Sequence, residues 1–235
     1  MKTAVANPRT KMFDIPHKGL RNLLAQVNLL AGNTDFKSSL QVMRLHELGR
    51  DLFQLLSEHA ADEEEFLLAS LEQRQPGATL LNHEEHEIIE KQQANLERML
   101  EGLVERARRG EAVEALSERF YFEVNRFQSA YLLHMLEEEE HTQQLLWKYF
   151  TDEELLDMRR KIISRMAPVT QLKWYRYAAP FMSHNTRMQW LNAVKAVAPV
   201  PFFLQILEVL SDVLSAKEFA QLRVELGEFN LQRAF

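Results

Sequence analysis

Apolar residues recur at helical spacing along most of the chain. Leu20, Leu24, Val27 and Leu30 form one stripe behind Asp14, a good N-cap residue, with Pro16 in the first turn. This pattern predicts a first helix from about Asp14 to Ala31-Gly32-Asn33. A second stripe through Leu45, Leu48, Leu52, Leu55 and Phe66 predicts a long helix from about Asp35 to Gln73, broken by Gln75-Pro76-Gly77. The third stripe, Ile89, Leu96, Leu100 and Leu103, runs from about Thr79 to Arg109 and is closed by Gly110. A fourth, from about Ala112 to Phe150, carries Phe120, Val124, Phe127, Tyr131 and Leu145.

Four amphipathic helices joined by short connections pack up-down-up-down, so the expected fold is all-α, a four-helix bundle over residues 14–150. Thr151-Asp152-Glu153-Glu154 reads as a capping box that opens another helix, ending before Pro168. Two or three shorter helices are expected after it, one following Ser183 and one following Pro201 that runs to the C-terminus. Residues 151–235 thus form a C-terminal helical extension, packed on the bundle or on a partner, with a homo-oligomer or protein complex as a further expectation.

Composition narrows the chemistry. Among 235 residues there are only seven Gly and seven Pro, as suits long helices with short links. A formal net charge of −6, without a basic stripe interleaved with aromatic residues, argues against nucleic acid as a partner. The absence of cysteine excludes disulfides, thiolate zinc sites, iron–sulfur clusters and a thiol nucleophile, so any metal must sit on nitrogen and oxygen. Residues 1–13 hold no signal-like apolar core and no later stretch is a membrane-spanning run, so a soluble cytoplasmic protein is expected, with no membrane partner.

A buried imidazole needs partners for both ring nitrogens, so the place of each histidine on its helical wheel is informative. His17 lies three residues before Leu20 and seven before Leu24, on the core-facing stripe. His59 follows Leu55 by four, and Glu63 follows His59 by four. The fourth helix repeats the arrangement, with His134 three after Tyr131 and Glu138 four after His134. His86 precedes Ile89 by three, in line with the third stripe. Each His-x-x-x-Glu pair sets an imidazole and a carboxylate on one face about one turn apart, which is metal-ligand spacing. Burying six such groups at one level without a compensating charge would be costly, and two divalent or trivalent cations would compensate them. Imidazole and carboxylate without thiolate suit iron, manganese or zinc, and paired carboxylates inside a four-helix bundle favour a di-iron centre. His46 and His184 read as surface or packing residues. Most of the Glu63-Glu64-Glu65 run and of residues 137–140 is assigned to solvent, because a helix turns too fast for more than one or two of a run to face inward.

In this order the residues closely resemble the hemerythrin-like family, also called the HHE cation-binding domain, whose pattern is one His, then His-x-x-x-Glu, then a His, then a second His-x-x-x-Glu. The matching residues are His17 in Asp14-Ile15-Pro16-His17, His59 with Glu63, His86 in His83-Glu84-Glu85-His86-Glu87, and His134 with Glu138, over roughly residues 14 to 150. The resemblance implies two iron ions bridged by Glu63 and Glu138 and by an oxo or hydroxo oxygen, with histidines completing each sphere and manganese or zinc as substitutes. The sequence departs at one point: oxygen-carrying hemerythrins place two histidines four apart on the third helix, and His83 and His86 are three apart. His83 remains a candidate ligand. With about six ligands per iron, five histidines leave a single vacancy for O2, NO or peroxide, and four leave two. His141, seven after His134 on the same face, is expected to line the pocket or to stay solvated in preference to adding a ligand, and Tyr131 to donate a hydrogen bond to a metal-bound oxygen species.

The leading expectation is therefore a non-haem di-iron protein that binds or reacts with O2, peroxide or NO as a sensor, scavenger or carrier, a metal- and oxygen-binding protein more than a dedicated enzyme. Iron storage, delivery or iron-centre repair is the first alternative. A structural or partner-binding bundle is the second.

Overall fold

A computed structural model describes residues 9–227, which are helical almost throughout, and no strand occurs among the described residues. Helix α1 spans Asp14–Asn33, with Phe13 rather than Asp14 at the cap. Asp14 instead sits in the first turn, where its carboxylate meets the positive end of the helix dipole. Helix α2, Ser39–Asp62, starts later than the apolar pattern suggests. Asp35 accepts from the backbone N–H of Lys37 and so closes a turn, and Ser38 caps the helix by accepting from Gln41. The rod continues without interruption through a π-helical segment, Glu63–Leu68, and α3, Ala69–Arg74.

Helix α4, Leu80–Arg109, ends at Gly110, whose φ of 66° is the left-handed conformation that glycine adopts without strain. Helix α5, Glu114–Glu137, passes through a second π-helical segment, Glu138–Thr142, into α6, Gln143–Tyr149. Helix α7, Asp152–Arg165, opens on the expected capping box, with Thr151 and Glu154 satisfying each other's backbone N–H groups.

Residue contacts divide the chain into two units. One contains the described residues through Ile15 together with Leu23–Met166, and the other contains Pro16–Asn22 and the described residues from Ala167 onward. The division runs through α1. In the first unit Leu45, Leu52, Leu55, Leu100, Phe120 and Phe127 are fully buried. Each such side chain contributes about 1.5–3 kcal/mol by leaving water. Phe13, Leu67, Leu71, Leu146, Phe150, Leu155 and Met158 form a further cluster that seats α7. The contact boundary therefore falls after Met166, one helix later than the capping box at Thr151.

The second unit holds α8, Pro168–Ala178, a short 3-10 turn at Ala179–Phe181, α9, His184–Lys195, α10, Val200–Val213, and α11, Ala216–Glu225. Its core is built from Leu191, Phe203, Ile206, Leu207, Leu210 and Leu222, with Tyr175 stacked on Trp190 at 4.4 Å. Helix α8, begun by Pro168, carries Trp174, Tyr175 and Tyr177, and Trp174 packs so close to Gly19 that a Cβ there would lie 3.3 Å from its ring. A second capping box, Ser215 with Glu218, breaks the last expected helix in two. The expected run to the C-terminus falls partly on residues 228–235, outside the described residues. No described helix is long and apolar enough to cross a membrane.

Candidate metal centre

Three helical rods of the first unit and α1 each bring at least one nitrogen or oxygen donor to one level. His59 and Glu63 stand one turn apart, and Nε2 of the ring lies 3.0 Å from Oε1 of the carboxylate. His134 and Glu138 repeat this at the end of α5, with Nε2 3.5 Å from Oε2. From α4, His86 turns its Nε2 between the two carboxylates, 3.7 Å from Glu63 Oε2 and 3.8 Å from Glu138 Oε1. Two groups of four result: His17, His59, Glu63 and Glu138, and Glu63, His86, His134 and Glu138, each with ligand atoms within 4.8 Å of one another. Both carboxylates belong to both groups. None of the six residues is more than 6% exposed.

Each shared carboxylate is the first residue of a π-helical segment. A π turn spaces successive residues more closely in angle than an α turn, and such turns recur at functional sites. Here the consequence is visible at Glu63 and Glu64, neighbours in the chain whose carboxylates approach the two nitrogens of the same ring, His86.

The electrostatics favour a cation. Burial alone would push the His86 imidazole down, but the nearby Glu138 carboxylate, the charge of Glu63 and the contact with Glu64 outweigh that and hold it up, at about 9. Tyr131 is buried edge-on to the His134 ring at 5.6 Å, and burial together with the charges of Glu63 and Glu138 pushes its phenol well above the usual value. It therefore stays a hydrogen-bond donor. His86 Nε2 is buried and makes no hydrogen bond, although carboxylate oxygens flank it. A buried ring nitrogen in that position, in a set of four imidazoles and two carboxylates with no thiolate, fits a pair of cations bound through nitrogen and oxygen.

Six of the nine residues singled out from sequence meet in these two groups, and Tyr131 borders them. His83 and His141 do not come to the centre. The side chain of His83 is 44% exposed, with its ring between Glu64 and Thr79. That of His141 is 69% exposed and pairs with Glu137 at 2.6 Å, because the second π segment carries it off the line of His134. His46 and His184 hydrogen-bond with Glu101 and Glu225. Sequence reasoning missed Glu64 and Glu85, whose carboxylates reach the outer nitrogens of His86 and His134. Glu64 becomes visible only with the π turn, and Glu85 acts across a helix pair, so spacing within one helix carries no signal for either.

The comparisons agree with this geometry. Residues 9–146 match the family model described as the hemerythrin HHE cation-binding domain. The chain is also similar to F-box/LRR-repeat protein 5 of Xenopus laevis, 26% identical over 154 residues, and of Xenopus tropicalis, 29% identical over 157 residues. Each match covers 66% of this chain but only 22% of the relative, so the chain spans a small part of those proteins' length. No solved structure matches the chain significantly. With the family pattern extending over more than half of the sequence and its six buried histidines and glutamates drawn into two cation-sized groups, the chain belongs to the hemerythrin HHE cation-binding domain family.

Proposed function

We infer that this protein is a non-haem di-iron protein that binds or reacts with O2, NO or peroxide as a sensor, scavenger or carrier. The observation that carries this reading is the sharing of Glu63 and Glu138 by both four-residue groups. Two carboxylates common to two donor sets would serve two cations, and each set adds two histidines. That is four protein donors for each ion, fewer than the six that iron takes in octahedral sites. Such a pair of irons supplies one- or two-electron chemistry toward a small ligand.

The chain's own residues prepare the site for a ligand of that size. Burial of all six donors keeps bulk water away. A cavity of about 310 Å3 between α2 and α4 is lined by Leu56, Ala60, Ala94 and Ile89 and by polar groups such as Glu64 and Gln93, and reaches His86 and Tyr131. Its small alanine side chains leave room for a diatomic or peroxide molecule to approach from that side. Tyr131, kept protonated, offers its hydroxyl as a donor beside the two carboxylates.

The test is metal analysis followed by anaerobic optical spectroscopy. The protein is expected to carry about two irons per chain, with an absorption band that changes on reduction with dithionite and on exposure to air or NO. The double variant His59→Ala, His134→Ala is expected to lose that metal. Unchanged metal content in that variant would overturn the reading, and iron that passes readily to an apo acceptor would instead place the protein in storage and delivery.

A further inference from the structure

Two carboxylates outside the donor set touch the outer ring nitrogens of two of the histidines. Glu64 Oε1, on the first π segment, lies 2.7 Å from Nδ1 of His86. Glu85 Oε2, on α4, lies 2.9 Å from Nδ1 of His134. An ionised carboxylate only accepts, so each Nδ1 carries the hydrogen and donates it. A neutral ring that donates from Nδ1 has its lone pair on Nε2. In both histidines Nε2 is the atom facing Glu63 or Glu138, and this is the tautomer a cation requires.

Glu64 is itself held in place. Its oxygens lie 3.0 and 2.9 Å from Nδ1 of His83, whose Nε2 lies 3.0 Å from Thr79 Oγ1. The Thr79 hydroxyl donates to Glu72 Oε2 at 2.8 Å, and Glu72 Oε1 accepts from the Gly77 backbone at 2.7 Å. An unbroken series of hydrogen bonds thus joins the turn before α4 to His86.

We propose that Glu64 and Glu85 are positioning carboxylates for the His86 and His134 side of the centre, and that His83, too far out to be a ligand, is the brace that aims Glu64. This rests on the reading of His86 and His134 as metal ligands. It gives the histidine at the unexpected spacing a role the family pattern does not contain.

Equilibrium binding of Co2+ to the metal-free protein, in competition with a chelator, tests the proposal. Glu64→Ala and Glu85→Ala are each expected to weaken binding about 10–100-fold, and His83→Ala to weaken it less than Glu64→Ala. Glu64→Gln, which keeps an acceptor oxygen, recovers part of the loss. In the proton NMR spectrum of the Co2+-loaded protein, Glu64→Ala speeds solvent exchange of the shifted His86 ring N–H and spares that of His134, and Glu85→Ala does the reverse. A merely structural role would lower thermal stability without that residue-specific pattern. Unchanged Co2+ affinity and unchanged N–H signals in both alanine variants would overturn the proposal, whereas a wild-type protein that takes up no Co2+ would overturn the metal reading beneath it.

Discussion

The Glu63 and Glu138 carboxylates approach the same imidazole nitrogen, Nε2 of His86. Because each belongs to both donor groups, Glu138→Ala is expected to reduce uptake of both cations, while His17→Ala and His134→Ala each weaken the group to which they belong. Metal stoichiometry of the three variants checks this, and full occupancy of one position in Glu138→Ala would count against a shared carboxylate. Tyr131→Phe removes a hydroxyl but keeps the ring that packs on His134. Its metal content is expected to be unchanged, and bound NO is expected to dissociate up to about tenfold faster, the loss of roughly one hydrogen bond. At this scale the six residues of the two groups were legible because each sits in phase with an apolar stripe of its own helix. His83 and His141 lie outside the two groups: a three-residue offset leaves His83 on the rim, and a π turn shifts His141 off the line of His134, into the solvated position that was one of its two expected places.

Helix α2 passes close to α4 at Gly49, where a Cβ would lie 2.5 Å from a methyl of buried Leu100. Gly49→Ala gains about 1 kcal/mol in helix propensity but overpacks the contact by about 1–3 kcal/mol. The expected result is no net gain in stability, with the propensity gain appearing only when Leu100→Ala makes room. A double-mutant cycle read by chemical denaturation measures that term. At the next junction Arg74 of α3 stacks on Phe150 at 4.0 Å and bonds to Glu154 of the α7 capping box. That bond, with the Thr151 backbone, holds the Glu154 carboxyl down from 4.5 to about 2. A depressed carboxyl contributes stability that is present above the unfolded value and is lost as pH falls toward the folded one. Glu154→Gln is therefore expected to flatten the fall in thermal midpoint between about pH 4.5 and 2, and an unaltered acid profile would contradict the bond. Helix number and most boundaries in the first unit could be read from periodicity and stop signals. The two π segments could not, because they depart from the α period on which that reading depends.

For the protein as a whole, cation binding and folding draw on the same groups. A cation at about a hundred times its Kd stabilises the folded state by about 2.7 kcal/mol. At roughly 2–4 °C per kcal/mol for a chain of this size, removing metal with a chelator is expected to lower the thermal midpoint by about 5–10 °C. Restoring iron should reverse the shift, and identical melting curves for the two forms would speak against bound metal. The amino-acid order by itself determined the all-helical class, the four long amphipathic segments, the six inward-facing donors and the family, because helix periodicity and ligand spacing are local properties within one or two turns. Only the tertiary structure decided that Glu64, Glu85 and His83 reach the rings of the centre, that α7 shares a core with the bundle, and that the last third of the chain is a core of its own. Those relations join residues far apart in sequence. They depend on where helices cross and where a π turn shifts their phase, and no spacing within a single helix encodes that.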